Sequence, residues 1–184
     1  MSLALVQSRA LLGLDAAAVT VEVHLANVEV KEARERVRAA LQNAGLEFPS
    51  NKRITVNLVP ADLPKDSGRF DLPIALGILA ASGQIDAARL AGYEFAGELS
   101  LSGELRAVRG ALAMSLALHR QAVQARLVLP PGSAEEAALV PGAEVYRARH
   151  LLDVVRHFAA APDGAEPDPA PAEGWSRQQP PPPA

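Results

Sequence analysis

Apolar residues occupy every second position from Val19 to Leu25, and again from Ile54 to Leu58. A period of two residues is typical of a strand that buries one face. We therefore predict strands over 18–26 and 53–59. A further strand is predicted over 3–9.

Two longer segments carry helical patterns. Between residues 29 and 44 the apolar positions fall on one stripe, and Gly45 is placed to end that helix. Residues 72–82 are apolar on nearly all sides, which predicts a central, buried helix. Asp71 stands where the N-cap of this helix belongs, and Gly83 where the helix would stop.

The rest of the chain divides into shorter elements. They are a helical turn over 86–90, a hairpin of 93–99 with 104–108 around Ser102-Gly103, a helix over 111–121, a strand over 126–129, a short helix over 133–138, a strand over 144–147 and a terminal helix over 150–158. Strands interleaved with helices, together with one hairpin, indicate an α/β (α+β) sandwich with a mixed sheet.

Composition limits the class of protein. Hydrophobic residues make up 49% of the 184 positions, which is enough for a sizeable core. The chain has no cysteine, which excludes disulfides and thiolate metal sites. It shows neither a signal peptide nor an apolar run of the ~20 residues that span a bilayer. We therefore expect a cytoplasmic protein with no membrane partner.

The net charge of −3 comes from residues 162–184, so residues 1–161 are neutral and do not by themselves favour nucleic acid. Eight of the 15 prolines also lie in this tail. We predict one domain over 1–161 and a Pro-rich, disordered linker over 162–184. Trp175 is either an isolated linker aromatic or a docking contact to a neighbouring domain.

The segment before the buried helix is densely charged, and two interpretations of it stay open. Its charged residues are Asp62, Lys65, Asp66, Arg69 and Asp71. They form either an internal network of ion pairs and caps or a contact surface for DNA or an adjoining protomer. On that surface Lys65 and Arg69 would donate to phosphate or carboxylate, and Arg106 and Arg109 would extend it.

The run PADLPKDSGRFDLPIA, from Pro60 to Ala75, resembles the signature PADLPK-x-x-G-R-[FY]-DLPIA. That signature belongs to the N-terminal domain of the magnesium-chelatase-like AAA+ ATPases, the ComM/YifB competence-protein group. The helix VKEARERVRAAL and the segment EFAGELSLSGELRAVRGAL are similar too, and the resemblance covers roughly residues 1–158. It implies a Lon-protease-like fold, related to the second domain of ribosomal protein S5.

The resemblance also implies a role. The chain is expected to be a non-catalytic accessory domain that aids DNA engagement or hexamer assembly. The parent protein is expected to promote DNA branch migration during uptake of transforming DNA. Expected partners are DNA, the protein's own AAA+ domain and neighbouring protomers. ATP and magnesium are expected only in the AAA+ domain, with no cofactor in this chain.

The residues give little support to catalysis. Lon proteases pair a serine with a lysine, but Phe70 stands where that serine belongs and the helix over 111–121 has no lysine. No lysine follows a glycine, as a phosphate-binding P-loop requires. No metal site is predicted, since His150 and His157 lie two helical turns apart with only Asp153 between them. A divergent Lon-like hydrolase and a pure oligomerisation module are the alternatives to the accessory domain.

The chain departs from the family pattern at one place. A Gly-Leu-Pro-rich segment usually separates the second strand from the first helix, but here Asn27 is followed directly by Val28. So short a strand-to-helix passage is very tight. We favour a loop omitted from the sequence over one lost from the protein.

Overall fold

The computed structural model describes residues 2–26, 35–49, 52–60, 68–159 and 174–179. Lys65, the Asn27-Val28 junction and most of the predicted linker lie outside these ranges. The elements in chain order are β1 (Ser2–Leu12), β2 (Asp15–Ala26), α1 (Glu35–Asn43), β3 (Arg53–Val59), α2 (Asp71–Ala81), a 3-10 helix (Ala87–Leu90), β4 (Tyr93–Phe95), β5 (Glu98–Leu99), β6 (Leu105–Arg106), α3 (Ala111–Arg120), β7 (Arg126–Leu129), α4 (Ser133–Ala137), β8 (Glu144–Ala148), α5 (Leu151–Phe158) and β9 (Trp175–Gln178).

Two sheets make up most of the β structure. The first is antiparallel, in the order β1-β2-β3. The second has the order β4-β7-β8-β9, with β4, β7 and β8 parallel and β9 antiparallel. This arrangement confirms the predicted α+β class and the mixed sheet. It also explains why the two sheets have different hydrophobic patterns in the sequence. β7 is buried almost throughout, whereas β2 alternates between buried and more exposed residues.

The first hairpin is longer than the sequence predicted. Pairing between β1 and β2 continues to Leu12 and Asp15, which leaves a two-residue turn of Gly13 and Leu14. Gly13 has φ of 63°, the left-handed conformation that such hairpin turns require. The predicted strands stopped short because the small and apolar residues around this turn do not alternate with polar ones.

The predicted central helix is confirmed as α2, which is buried from Asp71 to Ala80. It packs against β1 and β2 so closely that a methyl group at Gly77 would overlap the Val23 side chain and approach Val6. Glycine is therefore needed at 77 for the distance between helix and sheet, although it lowers helix propensity.

The predicted hairpin of 93–99 with 104–108 is only partly correct. Residues 93–95 leave it and pair in parallel with β7, whereas β5 pairs with β6. The strand is interrupted between β4 and β5 because the backbone of Gly97 makes its hydrogen bonds with residues outside the hairpin. Its N–H donates to the Arg69 carbonyl and its carbonyl accepts from Leu72 N–H, each at 3.0 Å. No sequence period reports such a long-range contact.

The expectation of a disordered linker over 162–184 is wrong at residues 174–179. Those residues include β9, which adds an edge strand to β8 with Trp175 opposite Ala148. Trp175 is 6% exposed. Its ring stacks on His157 at 4.2 Å between centroids and on Tyr146 at 5.2 Å. One large aromatic side chain thus provides the apolar surface that the surrounding proline-rich composition lacks.

The contact between α2 and the first sheet yields a stability prediction. Gly77→Ala should lower the free energy of unfolding by about 1–3 kcal/mol, because the overlap with Val23 outweighs the ~1 kcal/mol gain in helix propensity. Urea unfolding measures the change. In the double variant Gly77→Ala/Val23→Ala the overlapping atoms are gone, so its loss should be smaller than the sum of the two single losses. Strict additivity would contradict this packing argument.

A pH dependence follows from His157. Burial, followed by the nearby Arg89 and Arg126, lowers the pKa of His157 below 6.5. Tyr93 and Trp175 present their rings to it. The folded protein favours the neutral His157 ring. The contribution of this ring to the free energy of unfolding is therefore present above pH 6.5 and is lost as the pH falls through the lower pKa of the folded state.

We therefore expect a smaller free energy of unfolding at about pH 5 than at about pH 7.5, measured by urea unfolding. His157→Phe keeps an aromatic ring but cannot titrate, so it should weaken this dependence. An unchanged pH profile in that variant would assign the effect to other groups.

Candidate interaction surface

Arg69, predicted as a surface donor, lies in the protein core and is 2% exposed. It precedes α2, and its guanidinium lies between β1 and α3. Its Nε donates to the Arg9 carbonyl at 2.9 Å, Nη1 donates to the Arg109 carbonyl at 3.1 Å and Nη2 lies 3.3 Å from the Met114 sulfur. These contacts favour the internal-network interpretation of the charged segment over the contact surface, as far as Arg69 is concerned.

A second buried arginine, Arg9, was not identified from the sequence. It is 1% exposed and forms a bidentate ion pair with Glu94, with an Nε–Oε1 distance of 2.7 Å and an Nη2–Oε2 distance of 3.3 Å. Its remaining nitrogen donates to the Ala16 carbonyl and to Gln121. The alternation in β1 breaks here, with Ser8, Arg9 and Ala10 all buried, and this interruption is the one local signal.

Asp71 is the first residue of α2 rather than its cap. Phe70 occupies the N-cap position without a side-chain hydrogen bond. The Asp71 carboxylate instead forms an ion pair with Arg36 of α1, with N–O distances of 3.2 and 3.3 Å. It also accepts a hydrogen bond from the Leu99 N–H of β5 at 3.2 Å. A carboxylate in the first turn still interacts favourably with the helix dipole. The predicted cap is therefore wrong, and Asp71 connects three elements.

Arg106 and Arg109, the other two predicted contact residues, are exposed. Two further exposed arginines, Arg149 and Arg156, lie close to Arg106 in the fold. Leu105 donates its N–H to the Arg149 carbonyl at 2.9 Å, so β6 runs beside the connection between β8 and α5. Arg149 and Arg156 line one shallow concavity there. Arg106, Arg109, Arg149 and Arg156 are called the arginine face below.

The charge of the arginine face is not cancelled by ion pairs. Over the part of the chain that the structure describes, these four arginines form no salt bridge, in contrast to Arg36, Arg120, Arg126 and Arg147. Acidic groups near them are Glu98, which lies opposite Arg106 in the β5–β6 pair and contacts Arg36, Glu104, which lines the concavity, and Asp153, whose carboxylate accepts the His150 N–H. Arg149 and Arg156 were not among the predicted contact residues, because they are distant in the chain from the charged segment.

The residues weighed for catalysis or metal binding have structural contacts. His150 Nδ1 accepts from Leu152 N–H at the start of α5, and its Nε2 lies 2.9 Å from the Ser102 carbonyl, which requires that nitrogen to donate. His157 stacks on Trp175. Within the described ranges no group of three or more His, Cys, Asp or Glu side chains is arranged to hold a metal ion. Phe70 is buried at 3% exposure.

The structure thus defines an α+β domain with a buried arginine network and an exposed arginine face. The family model for subunit ChlI of Mg-chelatase matches residues 13–133, and the chain belongs to this family. In the described parts of the chain, no helix is both long enough and apolar enough to cross a membrane.

Relatives in several bacteria are similar over most of this chain. Competence protein ComM of Haemophilus influenzae is 51% identical over 168 residues, covering 85% of this chain and 32% of its own length. The uncharacterised YifB of Salmonella typhimurium is 45% identical, and the match covers 84% of this chain and 32% of YifB. An uncharacterised protein of Mycobacterium tuberculosis is 40% identical over 129 residues, and the match covers 70% of this chain and 25% of that protein. The chain therefore spans about a third of the length of its first two relatives.

The different positions of Arg69 and Arg106 predict different effects on folding. Arg69→Ala should lower the free energy of unfolding by about 2–4 kcal/mol, since buried carbonyls lose their donor. Arg106→Ala should change it by less than about 0.5 kcal/mol. Urea unfolding of both variants measures this. Arg69→Lys should restore little of the lost free energy of unfolding, because one ammonium group cannot reproduce the planar set of guanidinium N–H donors. Equal effects of the two alanine variants would contradict a buried role for Arg69.

Proposed function

We propose that this chain is a non-catalytic accessory domain of a magnesium-chelatase-like AAA+ ATPase, and that its arginine face helps the parent protein engage DNA. The parent would be a branch-migration helicase of natural transformation that binds ATP and magnesium through a separate domain. Membership of the ChlI family and the similarity to a competence protein support the proposal. The observation that carries it is the set of four exposed arginines, which form no salt bridge with any other residue that the structure describes.

The chemistry of this face suits a phosphate backbone. Guanidinium groups donate two parallel hydrogen bonds to phosphate and stay charged at every physiological pH. Arginines already engaged by carboxylates would have to give up those partners first, and among the described residues these four arginines have no such partner. The neutral charge of residues 1–161 argues for a weak, local contact that supplements a stronger site elsewhere in the parent. Lys65, outside the described residues, stays a candidate for the same surface.

A second candidate function is ring assembly through protein contacts. The tip of the first hairpin exposes Leu12 at 50% and Leu14 at 96%, and the outer face of β1 exposes Leu3 and Leu5. Exposed apolar side chains at the tip of a hairpin are typical of protein interaction sites. The hydrolase alternative receives no comparable support, because buried Phe70 takes the place of the nucleophile and α3 contains no lysine.

DNA binding is tested by fluorescence anisotropy with labelled single-stranded and forked DNA at low and moderate salt. We expect salt-sensitive binding that Arg106→Ala/Arg149→Ala weakens by about tenfold, with the salt slope reduced by about 2, because two phosphate contacts are removed. Lys65→Ala is measured in parallel as the test of that predicted contact.

The matched control is Arg53→Ala/Arg120→Ala, which removes the same charge from exposed positions outside the arginine face. Equal weakening by the control would mean that only overall charge matters. No binding at tens of micromolar DNA would overturn the DNA role for this domain. Salt-insensitive self-association, lost in Leu14→Ser, would then favour ring assembly.

A further inference from the structure

The edge of β8 and one face of α5 form a slot that holds the segment Gly174–Gln178. Backbone pairing joins Trp175 to Ala148 and Gln178 to Val145, so the segment extends the mixed sheet by one strand. Residues 160–173, which connect α5 to this segment, lie outside the described ranges. This is the geometry of strand addition, in which main-chain hydrogen bonds hold a peptide and side-chain pockets select it.

The slot selects tryptophan through three aromatic rings. His157 lies nearly parallel to the Trp175 ring, with an angle of 13°, and Tyr146 lies at 22° with centroids 5.2 Å apart. Phe158 meets it edge-on at 80°. Trp175 is the only tryptophan in the chain. A ring of this size, stacked on two aromatic side chains and 6% exposed, is the anchor of the segment.

The glycine before the anchor adds selectivity, whereas the arginine after it contributes little. Gly174 has φ of 94°, and a methyl group there would overlap the carboxylate of Asp153, so the slot accepts only glycine before the tryptophan. Two residues after the tryptophan, Arg177 reaches Glu144, with Nη1–Oε1 at 3.8 Å and half of its side chain exposed. Arg177 therefore lies at the rim, where ion pairs contribute little.

We propose that this slot is a docking site for an extended segment anchored by a Gly-Trp pair and that its occupant, residues 174–178 of the same chain, binds reversibly. Docked, the segment holds the following polypeptide at the edge of the mixed sheet. Released, it frees that polypeptide to move relative to the domain. The idea that docking couples this domain to a following AAA+ domain rests on the proposed function. The docking of the segment does not depend on that function, and its test involves no DNA.

The test uses the full chain with Trp175→Ala, which contains no tryptophan, and a synthetic peptide of residues 172–180. The peptide's tryptophan is then the only one present. We expect its emission to shift to shorter wavelength on titration, with binding in the micromolar range. The matched peptide carrying Gly174→Ala should bind at least about tenfold more weakly. A fluorescein-labelled peptide should bind wild-type chain at least about tenfold more weakly than the variant, since the slot is already filled.

The proposal fails if the folded variant does not bind the peptide at about 100 micromolar, or if wild type and variant bind it equally. If Trp175→Ala does not fold, amide hydrogen exchange of wild-type chain provides the test. Amides of β9 and their β8 partners should exchange through a local opening, faster than amides of β7. Exchange of β9 only by global unfolding would overturn reversible docking. A strand-exchanged dimer in sedimentation would overturn docking within one chain.

Discussion

The ion pair between Arg9 and Glu94 is the contact on which the relation of the two sheets depends. Arg9 lies on β1 and Glu94 on β4, and both are almost fully buried. Removing either partner would leave an uncompensated charge in the core, which typically costs about 3–5 kcal/mol. Ser8, next to Arg9, donates to the Phe95 carbonyl at 2.5 Å, which reinforces the same junction. Arg69 then donates to the Arg9 carbonyl and connects α2 and α3 to it.

This network changes the meaning of the family signature in this chain. Gly68, Arg69, Phe70 and Asp71 are all buried, so GRFD organises the interior. Gly68 has φ of 94° and lies against the Glu98 side chain, Arg69 reaches the first sheet, and Asp71 receives Arg36. A charged motif before an apolar helix resembles a contact surface in the sequence. Arg69 and Asp71 instead make their contacts inside the fold, and the exposed arginines come from other elements.

The two ends of the mixed sheet have different kinds of neighbours. At β4 the sheet is joined to the first sheet by buried charge, and at β8 it is extended by a strand that is held by backbone pairing and by the aromatic stacking of one side chain. Separating buried charges from their partners is costly, whereas an edge strand with one anchor opens more readily. The fold therefore places a rigid junction on one side and a separable one on the other. The arginine face lies beside α5, close to the separable side.

The sequence by itself determined the α+β class, the family, the central helix α2 and most later elements, because these follow from local periodicity, turn residues and a specific motif. It did not determine that Arg69 and Asp71 are internal, that residues 93–95 leave the predicted hairpin, or that Trp175 is docked. Each of those depends on a partner that lies far away in the chain, namely Arg9 for Arg69, Arg36 for Asp71, β7 for residues 93–95 and His157 for Trp175. Whether a polar side chain is exposed depends on which distant groups satisfy its hydrogen bonds, and only the tertiary structure decides that.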